Sequence, residues 1–150
     1  MPKRSADKKR GYKVSSAFSS MTVNQVMERR VQCAQLKTKG DVIASFMIEG
    51  FGAVPVVDGG RRLVGIVSEH DLLAAMDDGH KLGAITAGDV MTGNPYSVRR
   101  ETTLATLVHV LRASDLVRVP VVDARDKLVG IIARRDVLRT YLSGPAAKRK

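Results

Sequence analysis

Two segments of nearly identical pattern decide how this chain folds: AVPVVDGGRRLVGIVSEHDLL at residues 53–73 and RVPVVDARDKLVGIIARRDVL at residues 118–138. A shift of sixty-five positions aligns one with the other. In each segment two apolar runs flank a turn rich in Asp or Gly, which is the pattern of a β-hairpin. The repetition therefore predicts two copies of one supersecondary unit.

The repeat extends upstream of the hairpins. Residues 22–27 match residues 86–91 at their first, fifth and sixth positions, Thr, Val and Met. Each copy then has a predicted short strand, at residues 31–35 and 96–98, and a helix whose apolar residues are spaced for one face. Those apolar residues are Val42, Ile43, Phe46 and Met47 in the first copy and Leu104, Leu107, Val108 and Leu111 in the second. Each copy is thus predicted to be β-α-β-β-α, which makes the fold class α/β (α+β).

A unit of roughly 55 residues has little capacity to bury a sheet face alone. We therefore expect the two copies to pack sheet against sheet around a shared core, related by pseudo-twofold symmetry. The predicted organisation is a tail at residues 1–20, one repeat at 21–80, a second at 81–142 and a tail at 143–150.

The net charge of +10 is concentrated at the two ends of the chain. Residues 1–20 and 143–150 carry eight of these charges, while the intervening chain has sixteen basic and fourteen acidic residues. Because both tails are polar and lack periodicity, we expect them to be disordered. Their charge would attract RNA, DNA or anionic lipid without sequence preference.

Composition and motifs argue against several other classes of protein. No apolar run approaches the roughly 18 residues of a membrane span, and MPKRSADKKR lacks a secretory signal's apolar stretch, which predicts a cytoplasmic location. One cysteine and three scattered histidines provide neither a disulfide framework nor zinc-ligand spacing. The absence of a GxSxG elbow, a phosphate-binding GxxxxGK[ST] loop and a paired-carboxylate pocket predicts that the chain is not an enzyme.

The motif hVPVVD, a turn and LVGIhS/AxxDhL (h, apolar), preceded by Val-Met, resembles the CBS domain, named after cystathionine beta-synthase. The resemblance covers Thr22–Tyr141 in tandem, as in a Bateman module. It implies a free-standing regulatory module that binds AMP, ADP or ATP, with NAD and S-adenosylmethionine as further candidates, in clefts between the repeats. It implies no covalent cofactor and no catalysis, but a homodimer and an as yet unidentified regulated protein.

The junction after each repeated glycine, Gly65 or Gly130, also suits a sugar phosphate on physical grounds. Backbone N–H groups at a helix N-terminus attract phosphate, and an acidic residue in the first turn accepts ribose hydroxyls. Asp71 and Asp136 are the expected ribose ligands. The alternative is that Ser68 caps its helix and the aspartates only complement the helix dipole.

The resemblance implies how the two clefts are assembled. In one cleft, residues 90–98 and Leu116 would face Ile66, Ser68, His70 and Asp71. In the other cleft, residues 27–33 and Phe51 would face Ile131, Arg134, Arg135 and Asp136. Phosphate would contact Ser68, His70, Arg134 and Arg135, and adenine would lie among Ile66, Tyr96, Leu116, Val31, Phe51 and Ile131. All of these adenine-pocket residues except Leu116 could instead be plain core, and His70 could be a surface residue.

The two copies differ where phosphate is expected, since Ala133, Arg134 and Arg135 stand where the first copy has Ser68, Glu69 and His70. We expect the Asp136 cleft to favour ligands with more phosphates and the Asp71 cleft to favour a monophosphate or a nucleoside. Two other functions remain open at this point. One is a nucleic-acid-associated protein that binds through its tails, and the other is a structural dimeriser with empty clefts.

Overall fold

The computed structural model describes residues 16–144 and contains two similar halves, each built on one repeated segment. Helix α1 (Ser16–Ser20) precedes both. The first half contains α2 (Val23–Val26), α3 (Gly40–Ile48), β1 (Ala53–Val57), β2 (Leu63–Ser68) and α4 (Glu69–Asp77). After a 3-10 turn at Leu82–Ala84, the second contains α5 (Ala87–Val90), β3 (Thr92–Gly93), β4 (Val98–Arg99), α6 (Leu104–Ala113), β5 (Arg118–Val122), β6 (Leu128–Ala133) and α7 (Arg134–Ser143). The predicted mixed α and β class is confirmed.

The two predicted hairpins are present, β1 with β2 and β5 with β6, both antiparallel. Asp58 closes the first turn, because its Oδ1 accepts hydrogen bonds from the N–H groups of Gly60 and Arg62, both at 2.9 Å. Asp123 does the same in the second turn, and the N–H groups of Lys127 and Arg125 hold the pKa of its carboxyl below the usual value. The same turn chemistry thus recurs in both copies.

The segment that leads into each half crosses from one sheet to the other. Glu28 exchanges backbone hydrogen bonds with Ile131 of β6, at 2.8 and 3.0 Å, whereas Ala34 bridges Val56 of β1 in parallel. Residues 31–35 therefore do not form the predicted strand, since only their end at Ala34 reaches a pairing partner. The second half repeats the crossing, because β3 pairs with β2 and β4 pairs in parallel with β5. The strand predicted at residues 96–98 begins only at Val98.

This crossing produces two core clusters instead of the single shared core expected from the sequence. The larger cluster combines the lead segment of the first half with the second sheet, and the smaller combines the lead segment of the second half with the first sheet. Members of the larger cluster include Met21, Val23, Val26, Met27, Val119, Val121 and Ile132; those of the smaller include Val54, Val56, Val67 and Ala87. Each half thus supplies part of the other half's core.

The two sheets also meet directly. In β1 the residues that alternate with the core-facing valines, Pro55 and Val57, are buried as well, and β5 shows the same pattern. At the hairpin ends, Leu63 N–H donates to the Asp126 carbonyl at 3.0 Å and Leu128 N–H donates to the Arg61 carbonyl at 3.1 Å. These reciprocal contacts agree with the predicted sheet-against-sheet arrangement and its pseudo-twofold symmetry.

The predicted disordered tail at residues 1–20 is wrong for its last five residues. Residues 16–20 form α1, and Phe18 is 6% exposed within the larger core cluster. A lone aromatic among serines has no periodicity, so its burial was not visible in the sequence. At the other end α7 continues to Ser143, the first residue assigned to the C-terminal tail. Residues 1–15 and 145–150, with the charges proposed to attract nucleic acid or lipid, lie outside the described residues. Within residues 16–144, no helix has the length and hydropathy that a membrane crossing requires.

Candidate functional site

The junction of β6 and α7 holds Asp136 at the start of a helix, as the sequence indicates. Its Oδ2 accepts a hydrogen bond from the Ala133 N–H at 2.9 Å. Its Oδ1 lies 3.1 Å from Nη1 of Arg139, one turn further along the same helix. Asp136 is partly exposed, so its carboxylate faces a solvent-accessible region and is not enclosed in the core.

This carboxylate lines a cavity of about 560 Å³ whose walls come from both halves of the chain. We call this cavity the second cleft. The second half contributes Val117, Arg118, Ile131, Ala133, Arg134, Arg135, Asp136, Leu138 and Arg139, and the first half contributes Glu28, Arg30, Val31, Glu49, Gly50, Phe51, Gly52 and Ala53. A cavity of this size lies within the range that small-molecule ligands occupy.

Positive charge predominates in the second cleft. Five of its lining residues are arginines and three are acidic, so that the cleft attracts anions. Besides Arg139, two of the arginines already have partners. Arg134 donates from Nε to the Leu116 carbonyl at 2.6 Å, and the guanidinium of Arg30 lies 5.8 Å from the centre of the Phe51 ring. The second contact is a cation–π interaction, and it covers one face of the ring that was predicted to pack on adenine.

The corresponding junction in the first half, between β2 and α4, is a complete capping box. Ser68 Oγ accepts from the Asp71 N–H at 3.2 Å, while Asp71 Oδ2 accepts from the Ser68 N–H at 2.8 Å. The capping role considered for Ser68 is therefore confirmed. Ile66 pairs with Thr92 of β3, which places the lead segment of the second half beside this junction as predicted. We call the region around Asp71 the first cleft.

The other residues predicted for the first cleft differ in their surroundings. His70 is exposed on the first turn of α4, and Tyr96 is 50% exposed in the loop between β3 and β4. Leu116 is partly buried and packs against the larger core cluster. The ligand roles of these three residues remain predictions.

The structure brings together all six residues predicted for the second cleft: Val31, Phe51, Ile131, Arg134, Arg135 and Asp136. The cavity is also lined by three arginines that were not predicted from the sequence, Arg30, Arg118 and Arg139. The spacing of three residues between Asp136 and Arg139 on a helix was a usable signal for that contact. Arg30 and Arg118 had no such signal, because they reach the cavity through the arrangement of the two halves. Within the described part of the chain, residues 16–144, no group of three His, Cys, Asp or Glu side chains is placed to hold a metal ion.

The CBS domain family model matches this chain twice, at residues 23–78 and 87–143. The CBS domain-containing protein CBSX2, chloroplastic, of Arabidopsis thaliana is 34% identical over 116 residues, which cover 59% of this chain and 49% of the relative. Inosine-5'-monophosphate dehydrogenase of Methanocaldococcus jannaschii is 30% identical over 113 residues, which cover 75% of this chain and 22% of the enzyme. The chain therefore spans half or less of the length of these two relatives.

Solved structures agree with the family match. The crystal structure of the CBS-pair protein CBSX2 from Arabidopsis thaliana has a TM-score of 0.75 at 32% identity and covers 87% of this chain and 99% of its own. The structure of CBSX2 in complex with AMP has a TM-score of 0.73 at the same identity. The match covers 82% of this chain and 97% of the CBSX2 chain. The chain belongs to the CBS domain family, and it carries two CBS domains in tandem.

Proposed function

We propose that this chain is a regulatory module that binds an adenosine-containing nucleotide in the clefts between its two CBS domains and signals ligand occupancy to a protein partner. The observation that carries the proposal is the composition of the second cleft. Residues from both domains form one cavity, and an aspartate at a helix N-terminus faces it together with five arginines.

The chemistry of the second cleft matches the three parts of a nucleotide. The carboxylate of Asp136 suits a ribose diol, because an ionised carboxylate is purely an acceptor. Arg134 and Arg135 suit the phosphates, since guanidinium groups form charge-assisted and often bidentate hydrogen bonds with them. Val31 and Ile131 offer the aliphatic surface that an adenine ring needs on its faces.

In the first cleft we propose the same three kinds of contact, to ribose, phosphate and adenine, from residues that carry less positive charge. Asp71 would accept the ribose hydroxyls, Ser68 and His70 would contact phosphate, and Ile66 with Tyr96 and Leu116 would surround adenine. The capping box does not compete with this role, because each carboxylate oxygen has about two acceptor sites and the cap uses one of Oδ2.

AMP is the first ligand to test, because CBSX2 has been crystallised with AMP and is 32% identical to this chain. ADP, ATP, NAD and S-adenosylmethionine share the adenosine part and are further candidates. A non-catalytic role, a homodimer and a cytoplasmic location are also proposed. The location needs its own measurement, since the CBSX2 relative is described as chloroplastic.

Thermal unfolding across these five ligands tests the proposal. A ligand at 100 times its Kd stabilises a one-site protein by about 2.7 kcal/mol, which raises the melting temperature by several degrees. The double variant Asp71→Asn/Asp136→Asn should abolish this shift. Asparagine is the better replacement here, because its carbonyl oxygen still accepts the capping N–H while the charge is lost.

Asp89→Asn is the matched control. Asp89 Oδ2 caps α5 by accepting the Thr86 N–H at 2.9 Å, but the residue does not line the second cleft. This variant should therefore keep the full ligand-induced shift. If no adenosine compound at millimolar concentration moves the wild-type transition, nucleotide sensing is the wrong function.

A further inference from the structure

Asp136 differs from Asp71 in having a charged partner on its own helix. Both of its carboxylate oxygens are engaged, Oδ2 by the Ala133 N–H and Oδ1 by Arg139. In the first domain the residue three positions after Asp71 is Ala74, which carries no charge. A ligand that needs the Asp136 carboxylate therefore meets an arginine already bound to it.

We propose that Arg139 makes the second cleft selective for ligands that carry phosphate, by exchanging the Asp136 carboxylate for phosphate when such a ligand binds. This inference rests on the proposed nucleotide-binding function and names the residue that sets its specificity. A neutral nucleoside has to share the Asp136 carboxylate with Arg139, or displace the guanidinium, and offers it no anion in return. A nucleotide offers one, so that Asp136 is released for the ribose hydroxyls.

The surroundings of Arg139 permit this exchange. Its side chain is 50% exposed and lines the cavity, so it can turn from the carboxylate to a phosphate without disturbing the core. Arg134 and Arg30 also line the cavity, but their recorded partners are the Leu116 carbonyl and the Phe51 ring. Arg139 is thus the arginine whose phosphate contact is coupled directly to the proposed ribose ligand.

The expected changes in affinity follow from the strengths of the two contacts of Arg139. An exposed ion pair is weak, and a charge-assisted contact to phosphate is stronger. Removing Arg139 should raise the affinity for adenosine about two- to fivefold, since the competitor is lost. It should lower the affinity for ATP roughly tenfold, since one guanidinium contact is lost. The ratio of ATP to adenosine affinity therefore falls by a factor of about 20 to 50.

Isothermal titration of the full chain with adenosine, AMP and ATP tests this inference. Arg139→Ala is compared with its parent in an Asp71→Asn background, which isolates the second cleft. Arg139→Lys retains the charge and should restore most of the preference for ATP. Arg112→Ala is the control, because this arginine lies in the last turn of α6 and does not line the cavity.

The reciprocal variant Ala74→Arg, in an Asp136→Asn background, should give the first cleft the same discrimination against adenosine. An unchanged ratio of ATP to adenosine affinity in Arg139→Ala would overturn the inference and leave the proposed function intact. Equal losses for both ligands would also overturn it, because they would mean that Arg139 only supports the helix. If the wild-type chain bound no adenosine compound at all, the proposed function would fail and this inference with it.

Discussion

The ring of Phe18 meets the ring of Tyr141 edge to face, with centroids 5.5 Å apart and an angle of 87° between the ring planes. This contact joins α1, at the start of the described chain, to α7, which carries Asp136 in its first turn. Phe18 also belongs to the larger core cluster. The first helix is therefore part of the domain pair, and it supports the helix at which the second cleft is built.

Phe18→Ala should lower the free energy of unfolding by about 3 kcal/mol, because it removes a buried aromatic side chain and leaves a cavity. Ile48→Ala is the control, since Ile48 is 87% exposed and its loss should change stability by less than about 0.5 kcal/mol. Urea denaturation measures both variants. A chain that starts at Met21 should show at least the same loss as Phe18→Ala. Equal stability of Phe18→Ala and Ile48→Ala would contradict this role.

Gly130→Ala should destabilise the chain by about 1–3 kcal/mol through overpacking. A Cβ at this position would lie 2.6 Å from Met27 Sδ and 2.9 Å from the Glu28 carbonyl oxygen, and the latter belongs to the backbone pairing between the two domains. Because Glu28 also lines the second cleft, nucleotide affinity should fall as well. Gly59→Ala, with no atom within 4 Å of the added Cβ, should leave both stability and affinity unchanged. Urea denaturation measures the stability of both variants, and calorimetric titration measures their nucleotide affinity. Equal changes in Gly130→Ala and Gly59→Ala would contradict overpacking at Gly130.

Ala133→Ser should stabilise the chain by about 1 kcal/mol by completing a capping box that is half formed. Asp136 already accepts the Ala133 N–H, but residue 133 has no hydroxyl to accept the Asp136 N–H in return. Ser68→Ala makes the opposite change in the first domain and should cost about the same amount. Thermal unfolding of both variants checks the pair. If Ser68→Ala lost stability as expected but Ala133→Ser gained none, the N-terminus of α7 could not form the capping box.

Local patterns predicted most of the fold because the hairpins and their helices depend on short-range chemistry. The continuous apolar run of β1 and the turn at Asp58 are examples, and both are repeated sixty-five residues later. The crossing of the lead segments was not predictable in this way. Glu28 reaches Ile131, and β3 reaches β2, only because the two halves are placed on each other, which no window of sequence describes.

In the second cleft, too, some residues were predictable from the sequence and others depend on how the two domains are placed. Arg134 and Arg135 were identified because they replace Glu69 and His70 in the aligned repeat. Arg118 was not, since it is the first residue of the buried strand β5 and reaches the cavity through its side chain beside Gly52 of the other domain. Comparison of the repeats thus finds residues that differ between the clefts. Residues that both domains place jointly require the three-dimensional arrangement.

Exchanging the residues that differ between the two helix starts should exchange the preferences of the two clefts. Arg134→Glu/Arg135→His, in an Asp71→Asn background, should weaken ATP binding by about 10- to 100-fold and AMP binding less, because ATP has more phosphate oxygens to lose guanidinium contacts. Glu69→Arg/His70→Arg, in an Asp136→Asn background, should strengthen ATP binding at the first cleft. Titration calorimetry with AMP and ATP measures both.

Arg135→His alone separates phosphate binding from a structural effect in this exchange. It leaves the bond from Arg134 Nε to the Leu116 carbonyl in place, so the loop before β5 keeps its support. We expect this single variant to lose ATP affinity by roughly tenfold while the melting temperature of the ligand-free chain stays unchanged. If instead ATP and AMP affinities fell equally in the double and single variants, the arginines would not discriminate by phosphate number. The two clefts would then have to differ for another reason, such as the hydroxyl of Ser68 that Ala133 lacks.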